Sequence, residues 1–135
     1  MAELGNALTR MDAPPVKLLY VYLSNPAVVA PQSRGVLAGL ARKGLFLAVQ
    51  EMFPTDTTRY ADIVLPGASF LEVADIYRAY GHNYIQMARP VIPPVGKSRS
   101  TLAIFQDFAA RLGFKDDVFS CDEMDELRQK ADEAR

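Results

Sequence analysis

The sequence predicts an α/β domain built on a mostly parallel sheet, and three observations carry that reading. Short apolar runs at 16–23, 45–50 and 62–65 are too brief for core helices and rich in β-branched or aromatic residues. They start at steps of about 30 and then 17 residues, too far apart for tight hairpins. The first gap holds apolar residues at helical spacing, so the order is strand, helix, strand.

Residues 1–13 read as a short helical lead closed by Ala13-Pro14-Pro15. Val16–Leu23 (VKLLYVYL) is nearly all apolar, as a strand covered on both faces should be. It stops at Ser24-Asn25-Pro26, where Pro26 biases Asn25 away from helix. Ser33 is placed to cap a helix carrying Val36, Leu37, Leu40 and Ala41, which Gly44 ends. Leu45–Gln50 is the second strand. Glu51–Ala61, with Pro54 and a run of Thr and Asp, is a loop with one helical turn, and Asp62–Pro66 is a short third strand. Phe70–Tyr80 reads as a helical turn followed by irregular chain, and Tyr84–Ile92, broken by Pro90, as extended edge segments. Ser100 caps an amphipathic helix with Leu102, Ile104, Phe105, Phe108, Ala109 and Leu112 on its apolar face, ended by Gly113. Residues 115–135 form an acidic C-terminal tail, eight acids against four bases, able to form a solvated helix.

Composition narrows the function. The 135 residues are 50% apolar and 23% charged, as in a soluble globular domain, and carry a net charge of −1, which excludes a strongly basic nucleic-acid binder. One cysteine and one histidine exclude a disulfide framework and a Cys/His zinc site, so no metal ligands are assigned. Cys121 lies in an acidic run, which raises a thiol pKa, so a Cys121–His82 nucleophile pair is disfavoured and no catalytic residue is assigned. No stretch is long and apolar enough to span a membrane.

Parallel strands with right-handed crossovers send the following loops to one edge, where open α/β sheets bind ligands. That edge gathers Ser24-Asn25-Pro26, Gln50–Thr57 and Pro66-Gly67-Ala68. Glu51, just past a strand, suits a ribose diol or a guanine edge, and Thr55 and Thr57 offer hydroxyls to a phosphate or base. The same residues also suit a plain capping loop, Asn25-Pro26 a plain turn, and Asp62 a backbone cap. His82 reads as a packed or surface histidine, and Arg78, Arg89 and Arg99 as solvated. No glycine-rich dinucleotide fingerprint or Walker lysine is present. The residues describe a binding half rather than a self-contained active site.

Lys17–Pro26 (KLLYVYLSNP), Pro31, Leu37–Leu40 and Leu45–Glu72 (LFLAVQEMFPTDTTRYADIVLPGASFLE) together resemble the molybdopterin oxidoreductases. This is the dimethyl sulfoxide reductase family, which includes formate dehydrogenases and nitrate and polysulfide reductases. Tyr77–Gln86 (YRAYGHNYIQ), Pro90–Pro94 and Phe105–Gly113 extend the likeness to about residues 5–114. The region resembles the third domain of those enzymes, which implies a doubly wound, Rossmann-like α/β unit spanning residues 1–114. It would hold the guanosine end of one of two molybdopterin guanine dinucleotides. The implied cofactor-binding set is Asn25 with Pro26, Gln50 with Glu51, Thr55 and Asp62; the family often has aspartate where this chain has Glu51.

The resemblance also implies a parent oxidoreductase with bis-molybdopterin guanine dinucleotide, molybdenum and an iron–sulfur cluster. The metal ligand and cluster cysteines would lie elsewhere in that parent, and this part alone would be inactive. Its expected partners are the remaining domains of the parent and iron–sulfur electron-transfer subunits, without nucleic acid or membrane contact. The alternative is a scaffold domain of a respiratory NADH dehydrogenase subunit that has lost the molybdenum cofactor. A free-standing nucleotide-binding module is a third reading, disfavoured by the missing glycine motif.

Overall fold

The computed structural model describes residues 3–78, 80–116 and 119. Its contacts divide the chain into two units, Met1–Gly67 and Ala68–Arg135.

In the first unit all three expected strands form. β1 (Leu18–Tyr22), β2 (Phe46–Glu51) and β3 (Ile63–Pro66) make one sheet in the order β1-β2-β3, parallel throughout. The register pairs Leu19 with Leu47, Val21 with Val49 and Val49 with Val64. Paired residues share a face, so Val21, Leu47 and Val49 line up on one side. There they join Leu8, Ala27, Ala30, Val36, Leu40 and Leu45 from the helical side in a single core. Each large aliphatic side chain buried this way contributes about 1.5–3 kcal/mol.

The helices supplying that core are α1 (Leu4–Arg10), α2 (Pro26–Val29) and α3 (Ser33–Leu40). α1 and α3 approach closely because glycines meet at the contact: a Cβ on Gly39 would lie 2.5 Å from Leu8 Cβ. α3 begins differently from the sequence expectation. Gln32, in the left-handed region at φ 58°, is the capping residue and Ser33 is already helical, so Ser33 is not the cap. α2 was hidden in the Asn25-Pro26 turn: proline suits the first position of a helix as well as a turn.

The expectation that the strands are covered on both faces holds at the middle of the second face, where Ala48 and Gln50 are buried. Towards its ends Leu18, Phe46 and Ile63 stay 61%, 49% and 44% exposed.

In the second unit, β4 (Asp75–Arg78) pairs antiparallel with β5 (Ile85–Ala88). The irregular chain expected up to Tyr80 is therefore corrected to a strand, while the extended reading of Tyr84–Ile92 contains β5. α4 (Thr101–Leu112) has the expected boundaries. Ser100 Oγ accepts from the Ala103 N–H at 3.1 Å, and Gly113 closes the helix at φ 81°, a conformation that favours glycine. The acidic tail lies, apart from Lys115, Asp116 and Phe119, outside the described residues, as does Cys121. No helix among the described residues is long and apolar enough to cross a membrane.

Candidate functional site at the carboxyl edge of the sheet

The parallel register brings the ends of β1 and β2 side by side. The Leu23 N–H donates to the Gln50 carbonyl at 3.0 Å, and Leu23 turns the chain with φ 45°, a value few non-glycine residues adopt. Asn25 follows after Ser24, half-buried at the start of α2. From the β2 side, the chain after Glu51 loops out and returns as a 3₁₀ turn at Thr57–Tyr60.

Thr57 ties the two loops together. It is fully buried, and its hydroxyl donates to Asn25 Oδ1 at 2.7 Å while its backbone N–H donates to the same oxygen at 3.2 Å. The Ala27 N–H in turn donates to Thr57 Oγ1 at 3.1 Å. The loop is closed again by Thr58, whose hydroxyl accepts from the Thr55 N–H at 3.0 Å and donates to the Thr55 carbonyl at 2.7 Å. The Thr55 hydroxyl itself is buried with no partner among the described residues. A polar group in that condition costs about 1–3 kcal/mol.

Beside this loop lies an open hollow of about 330 Å³ lined by Glu51, Met52, Phe53, Pro54, Thr58, Val64 and Pro66. Glu51 is half-buried at its wall; one carboxylate oxygen accepts from the Met52 N–H at 2.9 Å, and the second is not used in that contact. Phe53, 69% exposed, gives the rim an apolar plane on which a ring could stack.

Of the residues expected in the site, the structure gathers Asn25, Pro26, Glu51 and Thr55 at this edge. Gln50 is there too, but fully buried: the Tyr20 hydroxyl donates to its Oε1 at 2.7 Å, so it braces the sheet from within. Burial, and then the neighbouring Tyr22, raise the Tyr20 pKa, which keeps that hydroxyl a donor. Asp62 is not brought to these loops. It sits at the amino end of β3, where its carboxylate accepts from the Leu47 N–H at 2.7 Å and its own N–H donates to the Leu47 carbonyl at 2.8 Å. The backbone-cap reading of Asp62 is the one its contacts fit.

Thr57 is the residue whose importance the sequence understates. It is one of four Thr and Asp residues in the run 55–58, and its partner lies 32 positions away. The remaining candidates lie in the second unit. His82 Nδ1 accepts from the Tyr84 N–H at 3.2 Å in a local turn, and Arg99 pairs with Asp107. Among the described residues no group of three or more His, Cys, Asp or Glu could hold a metal ion.

The profile of the molybdopterin oxidoreductase family matches residues 3–111, four-fifths of the chain and all of the loops just described. The chain belongs to that family. Among curated relatives, the probable oxidoreductase YoaE of Bacillus subtilis is 42% identical over 98% of this chain. The alpha subunit of the F420-dependent formate dehydrogenase of Methanocaldococcus jannaschii is 33% identical over 75% of it. The catalytic subunit of the assimilatory nitrate reductase of B. subtilis is 32% identical over 73%. The matched part is 19% of the first, 15% of the second and 14% of the third, so the chain spans about a fifth or less of these relatives. Among solved structures, the acetylene hydratase of Pelobacter acetylenicus superposes with a TM-score of 0.69 over 82% of this chain and 15% of its own, at 24% identity, a likeness of fold.

Proposed function

We propose that this molybdopterin oxidoreductase chain is a cofactor-holding part of a larger enzyme. In this reading the loops at the carboxyl edge of its sheet take the guanosine end of a molybdopterin guanine dinucleotide. The observation that carries the proposal is that the Asn25 amide and the Glu51 carboxylate both stand at the carboxyl edge of the sheet, where Glu51 lines an open hollow.

The donor set fits a nucleoside. A carboxylate only accepts, so Glu51 suits the hydroxyls of a ribose or the N–H edge of guanine. The Thr55 hydroxyl can take a role in either direction, and Phe53 offers a face to a base. When bound, the cofactor supplies oxygen or electron transfer at molybdenum; this chain's residues fix where its nucleotide end sits. The metal ligand, the iron–sulfur cluster and the electron-transfer partners belong, on this proposal, to other parts of the parent. The isolated chain would then be inactive.

Titration of the chain with GMP, followed by amide chemical shifts, tests the reading. Shifts should cluster at 24–26 and 50–58, with a weak affinity of about −4 to −6 kcal/mol. Glu51→Ala removes a charged acceptor and should weaken binding by about 1.5–3 kcal/mol. Shifts confined to β4, β5 and His82 would refute the site. Absence of any binding would favour a scaffold domain that has lost the cofactor.

A further inference from the structure

We infer that Thr57 is a positioning residue that holds the Asn25 amide in one orientation, its oxygen turned to the protein and its Nδ2H2 group kept for an acceptor atom of a nucleotide. The inference deepens the nucleotide reading above and rests on it.

The polarity of the cluster follows from two groups that can only donate. The Thr57 backbone N–H faces the Asn25 side chain at 3.2 Å, and an N–H cannot accept, so the atom it faces is the amide oxygen. The Ala27 N–H, likewise donor-only, points at Thr57 Oγ1 at 3.1 Å. The hydroxyl therefore accepts from Ala27 and has its single proton left for Asn25 Oδ1, 2.7 Å away. Both lone-pair directions of that oxygen are then engaged by Thr57. Flipping the amide would set its NH2 against the Thr57 backbone N–H, two donors facing each other.

The same contacts explain an oddity of α2. Asn25 occupies the capping position, for which asparagine is among the best residues, yet its side chain makes no capping hydrogen bond. Of the two N–H groups it could cap, that of Val28 donates to the Asn25 carbonyl and that of Ala27 has been taken by Thr57. Thr57 thus does the capping for Asn25 and in exchange pulls the Asn25 oxygen inward. Because Thr57 is fully buried, water does not compete for these bonds. The consequence for recognition is a division of labour. Asn25 presents a donor to the ligand and Glu51 presents an acceptor, so the edge has a fixed hydrogen-bond polarity.

Two NMR measurements on the 135-residue chain and its variants test this. Without ligand, a scalar coupling through the hydrogen bond should link the Thr57 amide nitrogen to Asn25 Cγ; its absence overturns the inference. With GMP, the Asn25 Nδ2H2 cross-peaks should shift in the wild-type chain. Asn25→Asp keeps the inward oxygen but replaces the donor with an anionic acceptor. It should retain the coupling and lose GMP affinity by about tenfold or more. An asparagine that serves only as a turn residue would tolerate that change, since aspartate is an equally good turn former. Thr57→Val should weaken GMP about five- to tenfold, and Thr57→Ser, which restores the hydroxyl, should return it to within about twofold. If Thr57→Val does not fold, Asn25→Asp and Thr57→Ser still decide the matter. GMP shifts at the loops with unchanged affinity in Asn25→Asp overturn the positioning inference alone. An intact coupling with no GMP shift anywhere overturns the nucleotide reading, and the recognition role of the amide falls with it.

Discussion

Residues 3–67 and residues 68–116 are held by different forces. The first stretch closes around one apolar core of nine buried residues running from Leu8 to Val49, and its two most buried polar side chains, Gln50 and Thr57, are hydrogen-bonded inside it. In the second, the buried apolar residues among those described are Ala74, Ile104 and Ala109. Polar clasps do the visible work there: Glu72 accepts from Ser69 and Ser98, and Arg99 pairs with Asp107. A packed core is sensitive to volume, whereas surface polar clasps are sensitive to pH and salt. The candidate ligand loops grow from the packed stretch, where side-chain orientations such as that of Asn25 are locked by neighbours.

The sharpest way to break the comparison is to remove volume. Leu47 is 1% exposed at the centre of the core, and Leu47→Ala should cost about 2–5 kcal/mol in urea unfolding. The same truncation at Leu112, 74% exposed on α4, should stay within about 0.5 kcal/mol. Equal costs would show that the two stretches are not stabilised differently.

The α1–α3 contact gives a finer test, because two glycines of one helix should respond with opposite signs. A Cβ on Gly39 would stand 2.5 Å from Leu8 Cβ, which is fixed to the α1 backbone and has no flexible end to move. Overpacking of this kind costs about 1–3 kcal/mol and, at that distance, should outweigh the roughly 1 kcal/mol that alanine adds in helix propensity. At Gly35 the nearest atom is Gly5 Cα at 3.7 Å, an ordinary contact. Gly35→Ala should therefore stabilise by up to about 1 kcal/mol while Gly39→Ala destabilises, as thermal unfolding of the pair would show.

Asp62 shows where sequence and structure part. The three strands were legible because each is a short apolar run, and the α4 boundaries because Ser100 and Gly113 carry local signals. β4 was not: Asp75-Ile76-Tyr77-Arg78 has no apolar run, and its pairing depends on β5 across a turn. Within the site, residue types at the sheet edge were legible, but hydrogen-bond partners were not. Thr57 finds Asn25 across 32 positions, and Asp62 finds Leu47 across 15. An aspartate beside a strand looks the same whether it meets a ligand or a backbone N–H. Asp62→Ala should cost about 1–2 kcal/mol by leaving the Leu47 N–H without its partner, and should leave GMP affinity unchanged. A loss of GMP affinity in a folded Asp62→Ala chain would return Asp62 to the binding set.

The smallest expected effect sharpens the comparison from the acid side. The hydrogen bond from Ser98, at 2.6 Å on one carboxylate oxygen, is the main cause holding the Glu72 pKa below its ordinary value, with Ser69 adding to it and partial desolvation opposing it. The folded state therefore binds this proton less readily than the unfolded chain does. The stability contributed is fully present above the usual glutamate range, about pH 4, and is lost as pH falls through that range towards the folded pKa. Asp107 is shifted the same way, chiefly by its hydrogen bond from Arg99. Asp107 is solvent-exposed and Glu72 only half-buried, so screening keeps the effect small. A carboxyl-carbon titration should place the Glu72 midpoint below that of an unstructured glutamate. Glu72→Gln should flatten the acid response of amides in 68–116 while leaving the Leu47 and Val49 methyl signals where they are. An acid response of equal size in the core methyls of residues 3–67, abolished by the same substitution, would mean that the second stretch holds no separate pH-sensitive clasp.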